Sequence, residues 1–341
     1  MKKQLGLMFG ALCLIAEVLL AACGSLDDQA QRGSSQNQQH GGAPVDWKRV
    51  DAAMGRQGTM QPGDVYRFSM PRSDLKVTVR GIEIKPALAL GSWAAFKQAG
   101  NMAMVMGDLV LTEDEVSPVM AKLQEGGIEQ SALHHHVLYE SPRVMYMHIV
   151  GHGDPVRMAE TIRAALALTK TPAAAPPAVT GSSVAGGSST ASAGGNQSQD
   201  IGIDTRQIER IIGHPGKVNG GVFQVSVPRA EEIREGPITP STKGSDVPPS
   251  MGVATAINFQ PTGEGKAAIT GDYVLIGSEV NPVIRALREH GIEVTSLHNH
   301  MLDDEPRLFF MHFWAHGDAV ELARGLRAAL DKTNSQRGQA Q

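Results

Sequence analysis

The chain has 341 residues with a hydrophobic fraction of 41%, ample for packed cores, and its length favours two domains. A formal charge of −4 leaves no basic footprint, which excludes nucleic acid as the default partner. Beyond the N-terminus nothing is long and apolar enough to span a bilayer, and no Ser-His-Asp order, phosphate loop, cysteine nucleophile or dinucleotide fingerprint is present.

Residues 1–22 read as a lipoprotein signal peptide: Lys2 and Lys3 form a positive start, an apolar run follows, and Leu20-Ala21-Ala22-Cys23 resembles a bacterial lipobox. Such a signal is cut before the cysteine, so Cys23 becomes the acylated first residue and anchors the chain to a membrane. Cys13 leaves with the peptide, and no disulfide can form. Gly24 stands where an inner-membrane retention signal would carry Asp, so in a Gram-negative cell the expected address is the periplasmic face of the outer membrane. Residues 23–44 are polar and rich in Gln, Ser and Gly, and read as a flexible tether.

The remainder is written twice. Repeat 1 spans 45–170 and repeat 2 spans 201–335, with an Ala/Pro then Gly/Ser low-complexity linker over 171–200. Each repeat opens with a short amphipathic helix, N-capped by Asp46 or Asp204 and closed by Gly55 or Gly213. A strand follows, YRFSMPR against FQVSVPR. LKVTVRGIEIKP then alternates as a strand ending at Pro86, whereas EIREGPITPSTKGSDVPPS in the second copy reads as a loop. The copies realign in buried strands carrying a Gly-Asp step, AMVMGDLVL and AAITGDYVL. Helices are expected to start at Ser117-Pro118 and Asn281-Pro282 and to end at Gly127 and Gly291. Two histidine-bearing strands and a last helix, capped by Asp154 or Asp318, complete each copy. The expected fold is α+β: two homologous repeats, each an antiparallel-rich sheet with helices on one face, docked as a pseudo-two-fold pair like the subunits of a homodimer.

The chemistry lies in Leu133–Asp154, LHHHVLYESPRVMYMHIVGHGD, and its copy Leu297–Asp318, LHNHMLDDEPRLFFMHFWAHGD. His298, His312 and His316 each follow His134, His148 and His152 by 164 residues, so L-H-x-H-x(5)-P-R-x(4)-H-x(3)-H-G-D is a duplicated site. Strand alternation puts His134 and His136 on one face and His135, which is Asn299 in the copy, on the other. A turn of odd length, or one with a bulge, sets His136 opposite His148 with His134 diagonal, a spacing that suits three imidazoles around one ion. An even turn dissolves the cluster. Each repeat is therefore expected to hold a transition metal, zinc rather than copper, through His134, His136 and His148 or through His298, His300 and His312. Glu140 and Asp304 are candidate carboxylate ligands or turn residues. His152 and His316 lie about 13 Å further along the strand and are candidates only for a supporting role. Asp108 and Asp272, after the glycines, could orient an imidazole. Met102, Met104 and Met106 are not repeated and read as core packing.

The lipobox, the low-complexity linker and the duplicated LHxH…MHxxxHGD together resemble the LppY/LpqO lipoprotein family, a domain family of unknown function. The resemblance implies envelope localisation and duplication and supplies no mechanism. Two further readings stand beside transition-metal binding. One is a metal-dependent hydrolase with Glu140 or Asp304 as general base; the other is a metal-free binder of envelope ligands in a cleft between the repeats. Whether the protein is an enzyme stays open at this point.

Overall fold

The computed structural model describes residues 44–173, 200–239 and 242–338. The signal peptide, Cys23, all of the tether except Pro44, and linker residues 174–199 lie outside the described residues. Repeat 1 runs α1 (Trp47–Met54), β1 (Thr59–Gln61), β2 (Val65–Pro71), β3 (Thr78–Val79), β4 (Ile82–Glu83), α2 (Pro86–Ala89), β5 (Gly91–Ala99), β6 (Met102–Thr112), α3 (Glu113–Glu125), β7 (Glu129–His134), β8 (Glu140–Ser141), β9 (Val144–Gly153) and α4 (Pro155–Leu166). Repeat 2 runs α5 (Thr205–Ile212), β10 (Gly216–Asn219), β11 (Val222–Pro228), β12 (Arg234–Thr239), β13 (Thr242–Asp246), β14 (Ala254–Gly263), β15 (Lys266–Ile276), α6 (Gly277–Glu289), β16 (Glu293–His298), β17 (Asp304–Glu305), β18 (Leu308–Asp318) and α7 (Ala319–Leu330). No helix among the described residues is long and apolar enough to cross a membrane.

Each repeat folds into a six-stranded antiparallel sheet, in the orders β1-β2-β5-β6-β9-β7 and β10-β11-β14-β15-β18-β16. One face of each sheet packs on its own helices. Val50, Val119, Leu123 and Ile162 bury the first helical face, and Ile208, Val283, Leu287 and Leu326 bury the second. The opposite faces meet between the repeats. Val65, Met104, Met106 and Val150 of repeat 1 share a core with Ile233, Met251, Val274 and Phe310 of repeat 2. Val79, Leu88, Val110 and Tyr146 share another with Val222, Ala268 and Trp314. The fold is thus α+β, with both faces of each sheet buried, as the apolar residues on both sides of β9 and β18 require.

Two segments depart from the sequence reading. LKVTVRGIEIKP is not one strand: it turns at Arg80 and Gly81, at φ +50 and +85, into the two-residue pair β3 and β4. Positive φ at both central residues gives the twist that a tight hairpin needs. The matching stretch of repeat 2 is not a loop, since β12 and β13 pair with each other and β12 also with β17. Each of these arms lies over the other repeat's sheet. Lys85 N donates to Gln260 Oε1 at 2.8 Å and Gln260 Nε2 donates to Glu83 O at 2.7 Å, while Arg67 Nη1 donates to Ser250 O at 2.9 Å. The strands β5 and β14 escaped the sequence reading, because GSWAAFKQA and ATAINFQPTG lack a clean alternation.

The central helices also begin a turn earlier than expected. α3 starts at Glu113, and Pro118 sits inside it. The start is set by Glu115, whose Oε2 accepts from the Thr112 backbone at 2.9 Å in a capping box. Glu279 does the same for Ile276 N in α6, which contains Pro282. The C-terminal expectation holds: Gly127 and Gly291 adopt φ +76 and +69 after the last turn, and Ile128 N and Ile292 N reach back to Leu123 O and Leu287 O.

The two capping glutamates serve a second purpose. Arg72, fully buried at the end of β2, donates to Glu115 at 2.7 and 3.2 Å, to Asp74 at 3.0 and 2.9 Å and to the Val110 carbonyl at 2.7 Å. All five guanidinium donors are satisfied. Arg229 repeats the arrangement with Glu279, Glu231 and the Val274 carbonyl. Each arginine locks a sheet to the helix that follows its central strand. Arg72→Ala and Arg229→Ala leave a buried carboxylate uncompensated, so each is expected to destabilise the chain by about 3–5 kcal/mol. The shift of the urea midpoint measures it; a shift near zero would show that the pair contributes nothing.

Candidate metal centre

β6 and β9 run antiparallel in a register that sets Asp108 beside His148, and β15 and β18 set Asp272 beside His312 in the same way. On the other side of β9, β7 pairs His134 with Tyr146 and Ala132 with His148, so His134 is diagonal to His148. A bulge between Gln130 and Ala132, matched between Val294 and Ser296 in repeat 2, accompanies that register. His136 is not opposite His148. It leaves the end of β7 and folds its ring onto Tyr146, at 3.3 Å between centroids. His300 stacks on Phe310 at 3.4 Å in the same manner.

These faces are the ones pressed together between the repeats, so the two expected sites are not separate. All six histidines meet in one cluster. His134 stacks on His298 at 3.7 Å, His148 on His300 at 3.7 Å, and His136 lies 3.9 Å from His312. The pseudo-two-fold relation is visible in the pairs it exchanges: His134–His148 is 5.0 Å and His298–His312 is 4.8 Å, while His134–His312 is 5.3 Å and His148–His298 is 5.4 Å. The loops that carry the rings are pinned across the same boundary. Ser131 Oγ donates to His300 O at 2.5 Å, Thr295 Oγ1 to His136 O at 2.6 Å, and Asn299 Nδ2 to Ser131 O at 3.0 Å.

Tautomers follow from the acceptors available. A carbonyl only accepts, so His312 carries its proton on Nδ1, which donates to Gly271 O at 2.7 Å. His148 makes the matching bond to the Gly107 backbone, and its Nε2 has no hydrogen-bond partner. A side chain at either glycine would run into a neighbouring strand, at the Ala256 carbonyl for Gly271 and the Trp93 carbonyl for Gly107. The Gly-Asp step therefore supplies a carbonyl that fixes the imidazole and a carboxylate beside it. Asp272 Oδ2 lies 3.1 Å from His300 Nε2, and Asp108 Oδ2 lies 3.4 Å from His136 Nε2 without a hydrogen bond.

Burial keeps five of these rings unprotonated. It pushes His134, His136 and His298 far below the usual imidazole range, and the neighbouring histidines push further. Burial likewise lowers His148 and His300 to about 3 and raises the Asp272 carboxyl to about 6. Neutral imidazole is the form that binds metal. His134, His298 and His300 each keep an Nδ1, and Asp108 and Asp272 each an Oδ1, buried without a hydrogen-bond partner. Polar atoms left this way cost free energy unless something else satisfies them. Three overlapping groups have one ligand atom from each residue within 4.8 Å of the others: His134, His298 and His312; His134, His136 and His148; His148, His298 and His300. The Nε2 atoms of His134 and His312 are 3.3 Å apart, and those of His298 and His300 are 3.1 Å apart. Two imidazole nitrogens about 2.0–2.1 Å from a tetrahedral zinc stand roughly 3.3 Å from each other. The cluster can hold a metal ion.

Four of the sequence candidates lie elsewhere. Glu140 Oε1 accepts from Val144 N at 3.1 Å, and His135 lies 3.2 Å from the same oxygen, so this carboxylate closes its own turn. Asp304 does likewise, accepting from Leu308 N and Arg307 at 2.6 and 2.9 Å. Neither belongs to one of the three ligand groups. His316 meets Thr262 Oγ1 at 2.9 Å. His152 reaches across to Glu235 of repeat 2 at 3.0 Å. The stacking partners Tyr146 and Phe310 were missed, although alternation along β9 and β18 already placed them on the histidine face.

The bond to Glu235 raises the His152 pKa above its ordinary value, against a smaller opposing effect of burial. A raised folded value means that the pair stabilises fully below about pH 6.5 and fades as pH climbs through the raised value. Wild type is therefore expected to exceed His152→Gln in thermal midpoint at pH 5.5, with the gap closing toward pH 9. A gap that widened with pH would contradict the assignment.

No curated protein matches the chain. Among solved structures it is similar to a trimeric bacterial microcompartment shell protein, PduB, at 12% identity over 80% of this chain and 87% of that one. The TM-score is 0.18, too low for the likeness to speak for a shared fold. Residues 48–168 and 206–332 each match one family, described as Domain of Unknown Function (DUF1259), and the chain belongs to that family with two tandem copies.

Proposed function

We propose that this is a lipid-anchored protein of the bacterial cell envelope, of the LppY/LpqO type, that holds a transition metal between its repeats. The observation that carries the metal reading is the convergence of six imidazoles from two repeats, four of them buried, with ring nitrogens and carboxylate oxygens that nothing in the protein satisfies. All-imidazole donors suit zinc, copper, iron and nickel. Zinc is favoured, since the nitrogen spacing fits its tetrahedron and a redox role has no thioether or thiolate in the cluster to support it. The envelope address rests on the lipobox at Cys23 and places the protein on acyl chains, on the periplasmic face of the outer membrane in a Gram-negative cell.

Elemental analysis of the full-length chain, purified in detergent from cells grown without added metal, tests the first part. Near-stoichiometric zinc that disappears in His134→Ala/His298→Ala is the expected result. Copper or iron in its place would correct the identity, and a metal-free chain whose melting is unmoved by zinc would remove the reading. Metabolic labelling with a fatty acid tests the second part: label and membrane fractionation are expected in wild type and lost in Cys23→Ser.

A further inference from the structure

Resting on the metal reading, we infer that the cluster is a two-ion centre with exchanged ligands. The His-x-His pair and aspartate of each repeat are completed by the strand histidine of the other. One ion would take His134, His136 and Asp108 with His312; the second would take His298, His300 and Asp272 with His148.

Four observations lead there. The ligand atoms gather in threes and not as a single sphere of six, so one octahedral ion does not account for all the imidazoles. The strand histidines sit closest to the opposite repeat: His148 is 3.7 Å from His300 but 5.0 Å from its own His134, and His312 is 3.9 Å from His136 but 4.8 Å from its own His298. The shortest nitrogen pairs, His134 with His312 and His298 with His300, each fall within one of the two proposed sets. Asp108 and Asp272 each approach the second imidazole of their own repeat's pair, at 3.4 and 3.1 Å, and retain a buried unpartnered oxygen. A carboxylate in each set offsets part of the dication's charge and completes a four-ligand His3Asp sphere, a coordination number that zinc takes readily.

The alternative pairing keeps each repeat's ligands together, with His134, His136 and His148 around one ion, a group that lies within 4.8 Å just as His148, His298 and His300 of the second exchanged set do. Double variants separate the two. His148→Ala/His300→Ala removes two ligands from one exchanged set and none from the other, so one equivalent of zinc is expected to remain. His136→Ala/His148→Ala removes one ligand from each exchanged set, so tight binding of both ions is expected to be lost. Both variants are loaded at a buffered free zinc concentration that just saturates wild type, and circular dichroism checks that each folds. The reverse outcome, none retained in the first variant and one in the second, overturns exchange. Wild type provides the reading that needs no variant: titration with cobalt(II) is expected to end at two equivalents, the second coupling magnetically to the first. An end point of one equivalent overturns the two-ion centre while leaving metal binding intact. No binding at all overturns the underlying reading instead.

Discussion

Each six-stranded sheet has a second apolar face that its own helices cannot reach, and everything at the centre of this molecule follows from that constraint. Burying such a face is worth on the order of 25 cal/mol for each Å² of apolar surface removed from water. The repeats satisfy it by facing each other, and each lays an arm across its neighbour: residues near β3, β4 and α2 on one side, and residues flanking β12 and β13 on the other. The histidines are carried into this dry boundary on the same strands. Their placement is a by-product of docking, and their chemistry is set by it.

A cluster of imidazoles in such a place is electrostatically expensive to charge and wasteful to leave unsatisfied. Desolvation keeps His134, His136, His148, His298 and His300 neutral, and the Gly107 and Gly271 backbones orient the two strand histidines. The pseudo-symmetry is close in geometry and incomplete in chemistry. Tyr146 faces His136 where Phe310 faces His300, and Thr270 occupies the position of Met106. Both hydroxyls are buried with no hydrogen-bond partner. The two halves of the cluster are therefore alike in their imidazoles and unlike in what surrounds them.

Much of this could be seen in the amino-acid string because duplication makes signals visible twice. The repeat offset, the caps at Asp46, Asp154, Asp204 and Asp318, and the glycine ends of α3 and α6 are local features, and local features were legible. So was the histidine face, since alternation along a strand needs no tertiary information. What periodicity cannot express is which surface a face will meet. His136 was placed opposite His148 by strand logic, yet β7 ends before it, and the residue is held by Tyr146 and by Thr295 of the other repeat. The arms escape periodicity for a related reason: two-residue strands such as β3 carry almost no alternation, and β3 owes its pairing to β8, about 60 residues further along the chain. Proline at 118 and 282 suggested a helix start, but the buried Arg72–Glu115 and Arg229–Glu279 pairs drew that start a turn earlier.

The sheet edges have a consequence of their own. β1 and β10, at the outer ends, are only three and four residues long. At the inner ends β7 and β16 turn toward each other, with Ser131 and Asn299 bonding across the gap. A long open edge is a template on which another chain can add a strand, and short or covered edges deny it one. Where chains are crowded together, an open edge is a route to fibrous aggregation. Here the same docking that gathers the imidazoles also covers the inner edges, and the outer ones are too short to template a long strand.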